Sequence, residues 1–402
     1  MANKKSIIIL MHYLELGGAE MALIGLLSAL DPDKVDVDLF IYDHRGPLMK
    51  YIPGHVNLLP EKPDYSVIER PIGEAVSKRQ FGVVAGRLLA KLKHRNYRRK
   101  VSVTGDDSSA FHYVGECVTP FLNKINPDKE YDLCISFLTP HHIGLKKVRA
   151  RKRLAWIHTD YSTIHINADA ELHVWNGYDH IASISPEVTK AFVSVFPSLE
   201  NKILPIENIL PAEYIRRRAE ERDISEEMPA KLKFLSIGRF TYPKNFDNLP
   251  FIAKELANSG ISDFQWYIIG YGGDEGLIRQ KIAEAGVEDK VIILGKKENP
   301  YPYIKACDIY IQPSRYEGKS VTVREAQILG KPVIITDYPT AKSQLNDGVD
   351  GIIVPLDNKG CAEGIKRVIE NNDLQKRIVR QLSIHDFAQK AEIDKIYRIL
   401  NS

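Results

Sequence analysis

YEGKSVTVREAQILGKP, Tyr316 to Pro332, carries two glutamates, Glu317 and Glu325, with seven residues between them. Gly318 permits a tight turn, and Ser320 or Thr322 is placed to cap a new helix. Val321, Val323, Ala326, Ile328 and Leu329 supply its apolar positions, Gly330 its stop signal, and Pro332 follows. The spacing predicts Glu325 in the first turn and Glu317 in the loop ahead of it. A helix start presents unpaired N–H groups and partial positive charge, which suits a phosphate. Ionised carboxylates beside such a site suit sugar hydroxyls, because each accepts charge-assisted hydrogen bonds from several O–H groups. Thr322-x-x-Glu325 also matches a capping box, which would make Glu325 structural, and spacing alone does not separate the two readings.

A second stretch, LKFLSIGRFTYPKN (Leu232–Asn245), has a short apolar run ending at Ile237, then Gly238, Arg239 and Lys244. Arg239 offers a planar, always-charged fork suited to phosphate oxygens, and Lys244 a mobile point charge. As isolated loop charges the pair would mean little. Their place directly after a strand–glycine break gives them weight.

Together these stretches resemble the retaining nucleotide-sugar glycosyltransferases of family 4, which have the GT-B fold. The resemblance runs over nearly the whole chain. Its most specific parts are IGRFTYPKN (Ile237–Asn245), Tyr316–Ile334 and DGIIVP (Asp350–Pro355). It implies an α/β chain of two doubly wound, Rossmann-like domains facing a central cleft. The acceptor-side domain would be 1–205 and the donor-binding domain 206–384, with a last helix at about 385–402 crossing back to the first.

The resemblance also implies roles. Arg239 and Lys244 would neutralise the departing diphosphate, Glu317 would hold hydroxyls of the transferred sugar, and Glu325 the ribose. His158 would position sugar or acceptor. Gly17, Gly18, Gly238, Gly318, Lys319, Ser320 and Val321 would line the donor. The family's donor loop usually has an aromatic and a second glycine where Lys319 and Ser320 stand here.

The 402 residues suit two domains, each able to bury a core. Hydrophobic residues at 44% and charged residues at 27% describe an ordinary globular composition. A net charge of +3 argues for no nucleic-acid partner. Cys117, Cys134, Cys307 and Cys361 lie far apart with no C-x-x-C pair, which fits core thiols in a reducing compartment. The apolar run Ile7–Met11 is too short for a signal-peptide core, and no stretch approaches a membrane span. A cytoplasmic protein is expected, with peripheral contact at the inner membrane face as an extension.

That extension rests on Ser77–Lys100, which contains nine Lys/Arg and no Asp or Glu. Phe81, Val84, Ala85, Leu88, Leu89 and Leu92 recur at helical spacing. Such a basic amphipathic helix lies on an anionic membrane surface or docks on its own domain, and the period is the same for both. Lys146–Arg153 is a second basic run.

Strands are expected at Ser6–Met11, Val35–Tyr42, Tyr131–Phe137, Leu154–His158 and Ala182–Ser185, with a helix over Gly17–Leu30. His158 and, more weakly, Ser185 fall at strand ends, where α/β sheets gather ligands. Pro205–Pro229 reads as the connection. Six further strands follow at Leu232–Ile237, Gln265–Ile269, Val291–Leu294, Ile309–Gln312, Val333–Thr336 and Gly351–Val354, and a helix at Ile384–Leu400. Neither HYLELGGAE nor Gly270-Tyr-Gly-Gly has the spacing of a dinucleotide-binding turn. Lys296–Tyr303, after a strand, is a candidate to flank the nucleobase.

No D-x-D-like metal signature is placed convincingly, and Asp106-Asp107 reads as a loop. No metal or other cofactor is therefore expected, the nucleotide sugar being a substrate. The expected function is hexosyl transfer from a nucleotide sugar, a UDP-sugar by preference, to a glycan or lipid-linked acceptor in surface polysaccharide biosynthesis. The alternatives are a non-catalytic nucleotide-sugar-binding GT-B protein and, ranking lower, a UDP-N-acetylglucosamine epimerase, whose acid/base groups have no counterpart here.

Overall fold

Buried, branched apolar runs alternate with helical segments, and in a computed structural model describing residues 4–103 and 106–402 they form two compact units. The first comprises Met1–Ile209 with Lys390–Ser402, the second Leu210–Gln389.

The strands of the first unit are β1 (Lys5–Met11), β2 (Val35–Ile41), β3 (Asn57–Leu58), β4 (Asp106–Asp107), β5 (Tyr131–Ser136), β6 (Ala150–Ile157), β7 (Ile164–His165), β8 (His180–Ser183) and β9 (Ile203–Pro205). Seven make one parallel sheet in the order β3-β2-β1-β5-β6-β8-β9. Ile7 to Leu10 and Leu133 to Ile135 are buried at its centre, as continuous apolar strands covered on both faces must be. The second unit holds β10 (Lys233–Ile237), β11 (Gln265–Ile269), β12 (Val291–Gly295), β13 (Ile309–Gln312), β14 (Val333–Thr336) and β15 (Ile352–Val354). They form a parallel sheet in the order β12-β11-β10-β13-β14-β15. All four cysteines are buried and free.

The departures from expectation have local causes. Asp106–Asp107 is not a loop but β4, paired in parallel with β7. β6 begins at Ala150 and so takes in Arg151, Lys152 and Arg153, whose charge hid the strand's start. The charged stretch in the connection is partly helical, within Ala212–Ala219. The last helix starts at Ile393, not Ile384: one helix ends at Ile384, and His385 is extended. Ser77–Lys100 is broken at Arg79, whose left-handed φ of 56° separates a helix at Ile72–Ser77 from one at Phe81–Arg98.

Candidate functional site

In the second sheet β10 leads to β11 on one side and β13 to β14 on the other, so the loops leaving β10 and β13 diverge. Such a switch point leaves a crevice beyond the carboxyl ends of the strands. Gly238 and Arg239 follow β10, and Arg239 is exposed. The β10 and β11 turns abut backbone to backbone: a Cβ at Gly270 would lie 1.9 Å from the Gly238 carbonyl oxygen. The Gly270-Tyr-Gly-Gly run thus serves close packing of strand ends.

Lys244 ends a single 3-10 turn, Tyr242–Lys244, and Asn245 then takes a left-handed φ of 61°. The Asn245 side-chain amide donates to the Pro313 carbonyl at 2.8 Å, fixing the turn on the β13 exit. Lys244 Nζ thereby reaches Glu317 Oε1 at 2.5 Å. The same oxygen accepts from Ser314 Oγ at 2.7 Å. The two side chains are 22% and 11% exposed, so the pair is sheltered but open at one edge. Arg315 ties the two loops together: it donates to both Asp247 carboxylate oxygens at 2.8 Å and to the Tyr242 carbonyl at 2.6 Å, with its guanidinium over the Tyr242 ring.

The helix after Glu317 runs Val321–Ile328. It closes as expected at Gly330: the Gly330 N–H reaches the Gln327 carbonyl and the Lys331 N–H the Ala326 carbonyl, a Schellman ending with Gly330 at φ 69°. It starts at one of the two expected caps, Ser320, and not at Thr322. Ser320 occupies the N-cap without a side-chain cap bond, and its N–H donates to Gln344 Oε1 at 2.6 Å. Thr340 Oγ1 holds the Glu317 carbonyl at 2.7 Å. Gly318 and Lys319 lie between these two fixed points. Thr322 sits inside the helix, accepting from Tyr310 OH, so no capping box forms.

Glu325 consequently lies in the second turn, not the first, and is buried. Tyr301 OH donates to its Oε1 at 2.9 Å. Burial pushes the Glu325 carboxyl up to about 7, against the opposing pull of the Tyr301 hydrogen bond. Nearby, Lys296 lies over the Tyr271 ring, while Lys297 and the Tyr303 hydroxyl both bind Glu227, so the Lys296–Tyr303 segment is largely engaged within its own unit.

Gly17, Gly18 and His158 belong to the first unit. Gly17 is the N-cap of the Gly18–Ala29 helix, where a Cβ would lie 2.2 Å from Glu20 Oε2, so the group closing on this glycine is the helix's own glutamate. His158 follows β6, stacked on Trp156 and packed against Phe137. Burial pushes its imidazole down to about 3, so it is neutral near pH 7, and its Nε2 has no partner. Ser185 is a helix cap, its Oγ accepting from the Val188 N–H, which is a structural task.

Two histidines at the same rim escaped the sequence reading. His12, directly after β1, bonds Glu69 through Nδ1 and leaves Nε2 buried without a partner. Burial pushes the Glu69 carboxyl up, but the His12 hydrogen bond together with the charges of His12 and Arg45 more than offsets this and holds it below its usual range. His141, beyond β5, bonds Ser136 Oγ through Nδ1 at 2.8 Å, and burial pushes it down to about 3. The strand-end argument that found His158 applies equally to His12. Among the described residues no group of three His, Cys, Asp or Glu is placed to hold a metal ion.

Two parallel, doubly wound sheets, one in each unit, are the architecture of the GT-B fold. Residues 217–382, wholly inside the second unit, match the model of the family described as glycosyl transferases group 1. A Campylobacter jejuni relative, N-acetylgalactosamine-N,N'-diacetylbacillosaminyl-diphospho-undecaprenol 4-alpha-N-acetylgalactosaminyltransferase, is 30% identical over 38% of this chain and 41% of its own. The lipopolysaccharide core biosynthesis glycosyltransferase LpsE of Rhizobium meliloti is 24% identical over 42% of this chain and 49% of its own. The chain spans about half or less of the length of these relatives. Among solved structures, Anabaena HepE in complex with UDP and glucose superposes with a TM-score of 0.67, at 16% identity over 99% of both chains. S. aureus TarM gives 0.66 at 13% identity, over 100% of this chain and 99% of that one, which again shows the fold.

Proposed function

We propose that the protein is a retaining glycosyltransferase that moves a hexosyl group from a nucleotide sugar, a UDP-sugar by preference, to a glycan or lipid-linked acceptor of surface polysaccharide biosynthesis. The observation that carries the reading is the Lys244–Glu317 pair at the switch point of the second sheet, beside the start of the Val321–Ile328 helix. The relatives' names supply the acceptor class, a diphospho-undecaprenol glycan in one and a lipopolysaccharide core in another. HepE's UDP and glucose support the donor class.

In the proposed step the bond between the sugar's anomeric carbon and the diphosphate oxygen breaks, and its electron pair leaves with the phosphate. Arg239, Lys244 and the first N–H groups of the helix stabilise that growing charge, the kind of contribution that is largest in transfer reactions. Glu317 accepts hydrogen bonds from sugar hydroxyls, and Lys244 holds it in place meanwhile. The acceptor oxygen attacks from the face the diphosphate leaves, and its proton passes to the departing phosphate oxygen. Glu325 takes the ribose hydroxyls as a carboxylate, for which Tyr301 must yield its hydrogen bond. His158, neutral and fixed by Trp156, orients sugar or acceptor. The scheme needs no metal, since the cationic groups do the neutralising. A cytoplasmic location, with peripheral contact at the inner membrane face through Ser77–Lys100, belongs to the same proposal.

A thermal-shift comparison of UDP, GDP and ADP sugars tests it, because a ligand that binds only the folded state raises the melting temperature. UDP and at least one UDP-sugar are expected to raise it. No shift from any nucleotide sugar at millimolar concentration would sink the proposal.

A further inference from the structure

The Phe81–Arg98 helix docks on its unit with the face the sequence would not have chosen. Its buried residues are Val83, Gly86 and Ala90, and it packs on the Ser109–Val118 helix through small side chains. A Cβ at Gly86 would lie 2.7 Å from the Cys117 carbonyl oxygen, so the backbones approach as closely as glycine permits. The large apolar residues point the other way: Phe81 is 62% exposed, Leu88 49%, Leu89 46% and Leu92 59%. Spaced at i, i+7, i+8 and i+11, they form one stripe. Val76 on the preceding helix and Phe121, which abuts Gly82, are also exposed. A soluble surface seldom leaves so much apolar area together without an occupant.

Charge selects the occupant. Lys91, Arg95 and Arg99 are exposed alongside the stripe, and no acidic residue lies between Ser77 and Lys100. A second copy docking through the same face would set these cations against themselves. Lys146–Arg153, by contrast, is engaged internally: Lys147, Lys152 and Arg153 donate to backbone carbonyls and Arg151 to Asp132.

We infer that the outward stripe of Phe81, Leu88, Leu89 and Leu92, with Lys91, Arg95 and Arg99 around it, is a docking face for an anionic lipid bilayer, the apolar side chains entering the interface and the cations meeting headgroup phosphates. It deepens, and in its biological sense rests on, the proposed action on a lipid-linked acceptor. The helix is already folded against its unit, so docking needs no ordering of the chain.

Co-sedimentation with vesicles of phosphatidylcholine, with and without phosphatidylglycerol, tests this. Binding is expected only with the anionic lipid and is expected to weaken with salt. K91Q/R95Q/R99Q should weaken it on the order of 100-fold, at roughly 1 kcal/mol for each cation near the surface. F81S/L88S/L92S should also weaken it while leaving melting temperature and UDP release from a donor unchanged, since all three side chains are already exposed. Absence of binding to anionic vesicles, or binding indifferent to both triple variants, overturns the inference. So does a stable dimer in solution that F81S/L88S/L92S converts to monomer. UDP release is read separately, so vesicle binding can fail while the transferase reading stands, and the reverse.

Discussion

Arg315 grips Asp247 with two guanidinium nitrogens, each 2.8 Å from a carboxylate oxygen, and so fastens the turn carrying Lys244 to the loop carrying Glu317. The backbone repeats the tie, the Arg315 N–H reaching the Pro243 carbonyl at 2.8 Å. Neither residue is proposed to touch the donor. Their effect is on where Lys244 Nζ sits.

Arg315→Lys keeps the charge but loses the fork, which two parallel bonds to a carboxylate require. It is expected to lower kcat/KM by about 10–100-fold, since a displacement of about 1 Å at a charged group can cost that much. The loss should not add to that of Lys244→Ala in the double variant, because both act through the same ammonium. Steady-state kinetics of the four proteins checks this; additive losses would remove the positioning role.

Glu325 makes stability depend on pH. Its folded carboxyl is raised to about 7, above its ordinary value near 4.5. The folded state therefore holds a proton that the unfolded state releases between those two pH values. Stability falls as pH rises through that window and levels off above 7, by up to roughly 3 kcal/mol for a group this buried. Glu325→Gln should flatten the loss, so the unfolding free energies of the two proteins should diverge between pH 5 and pH 7.5 by about 1–3 kcal/mol, with melting temperatures diverging in step. Parallel curves would show that Glu325 does not titrate there. If the carboxylate also takes the ribose, UDP should bind more tightly above pH 7 than below it, and calorimetry at the two pH values reads that directly.

Gly270 permits the contact between the β10 and β11 turns. Gly270→Ala should destabilise the protein by about 1–3 kcal/mol, as forced overpacking does, because the added methyl meets backbone rather than a flexible side chain. Chemical denaturation measures it, and an unchanged midpoint would mean that the turns separate freely.

Chelation tests the claim that cationic side chains replace a metal. UDP release in excess EDTA is expected to match that of the untreated protein. A loss restored by magnesium or manganese would transfer the neutralising role from Arg239 and Lys244 to an ion.

The parallel sheets were legible because β10, β11, β13 and β14 are short, mostly apolar runs, buried but for the first residue of β10 and of β11, a pattern with few other solutions. β3 and β9, of two and three residues, were too short to leave a pattern. Arg239 and Lys244 were singled out by their place after a strand end and Glu317 by its place ahead of a helix start, yet the direct Lys244–Glu317 contact depends on the left-handed Asn245 and the Arg315–Asp247 clamp, neither of which has a periodic signature. Glu325 falls in the second turn rather than the first because the helix begins after Ser320, two residues before a Thr322 cap would start it; the Ser320 N–H is held by Gln344, far along the chain. The Phe81–Arg98 helix showed its apolar stripe in sequence. Which face docks is decided by the close approach at Gly86, which only the fold shows.

The most direct test is UDP release from a panel of UDP-hexoses by the wild-type chain, Lys244→Ala and Glu317→Ala, with melting temperatures taken alongside. The wild-type chain should release UDP from at least one donor, and each variant should lose about 100–1000-fold of that rate while remaining folded. Wild-type rates in both folded variants would contradict the account.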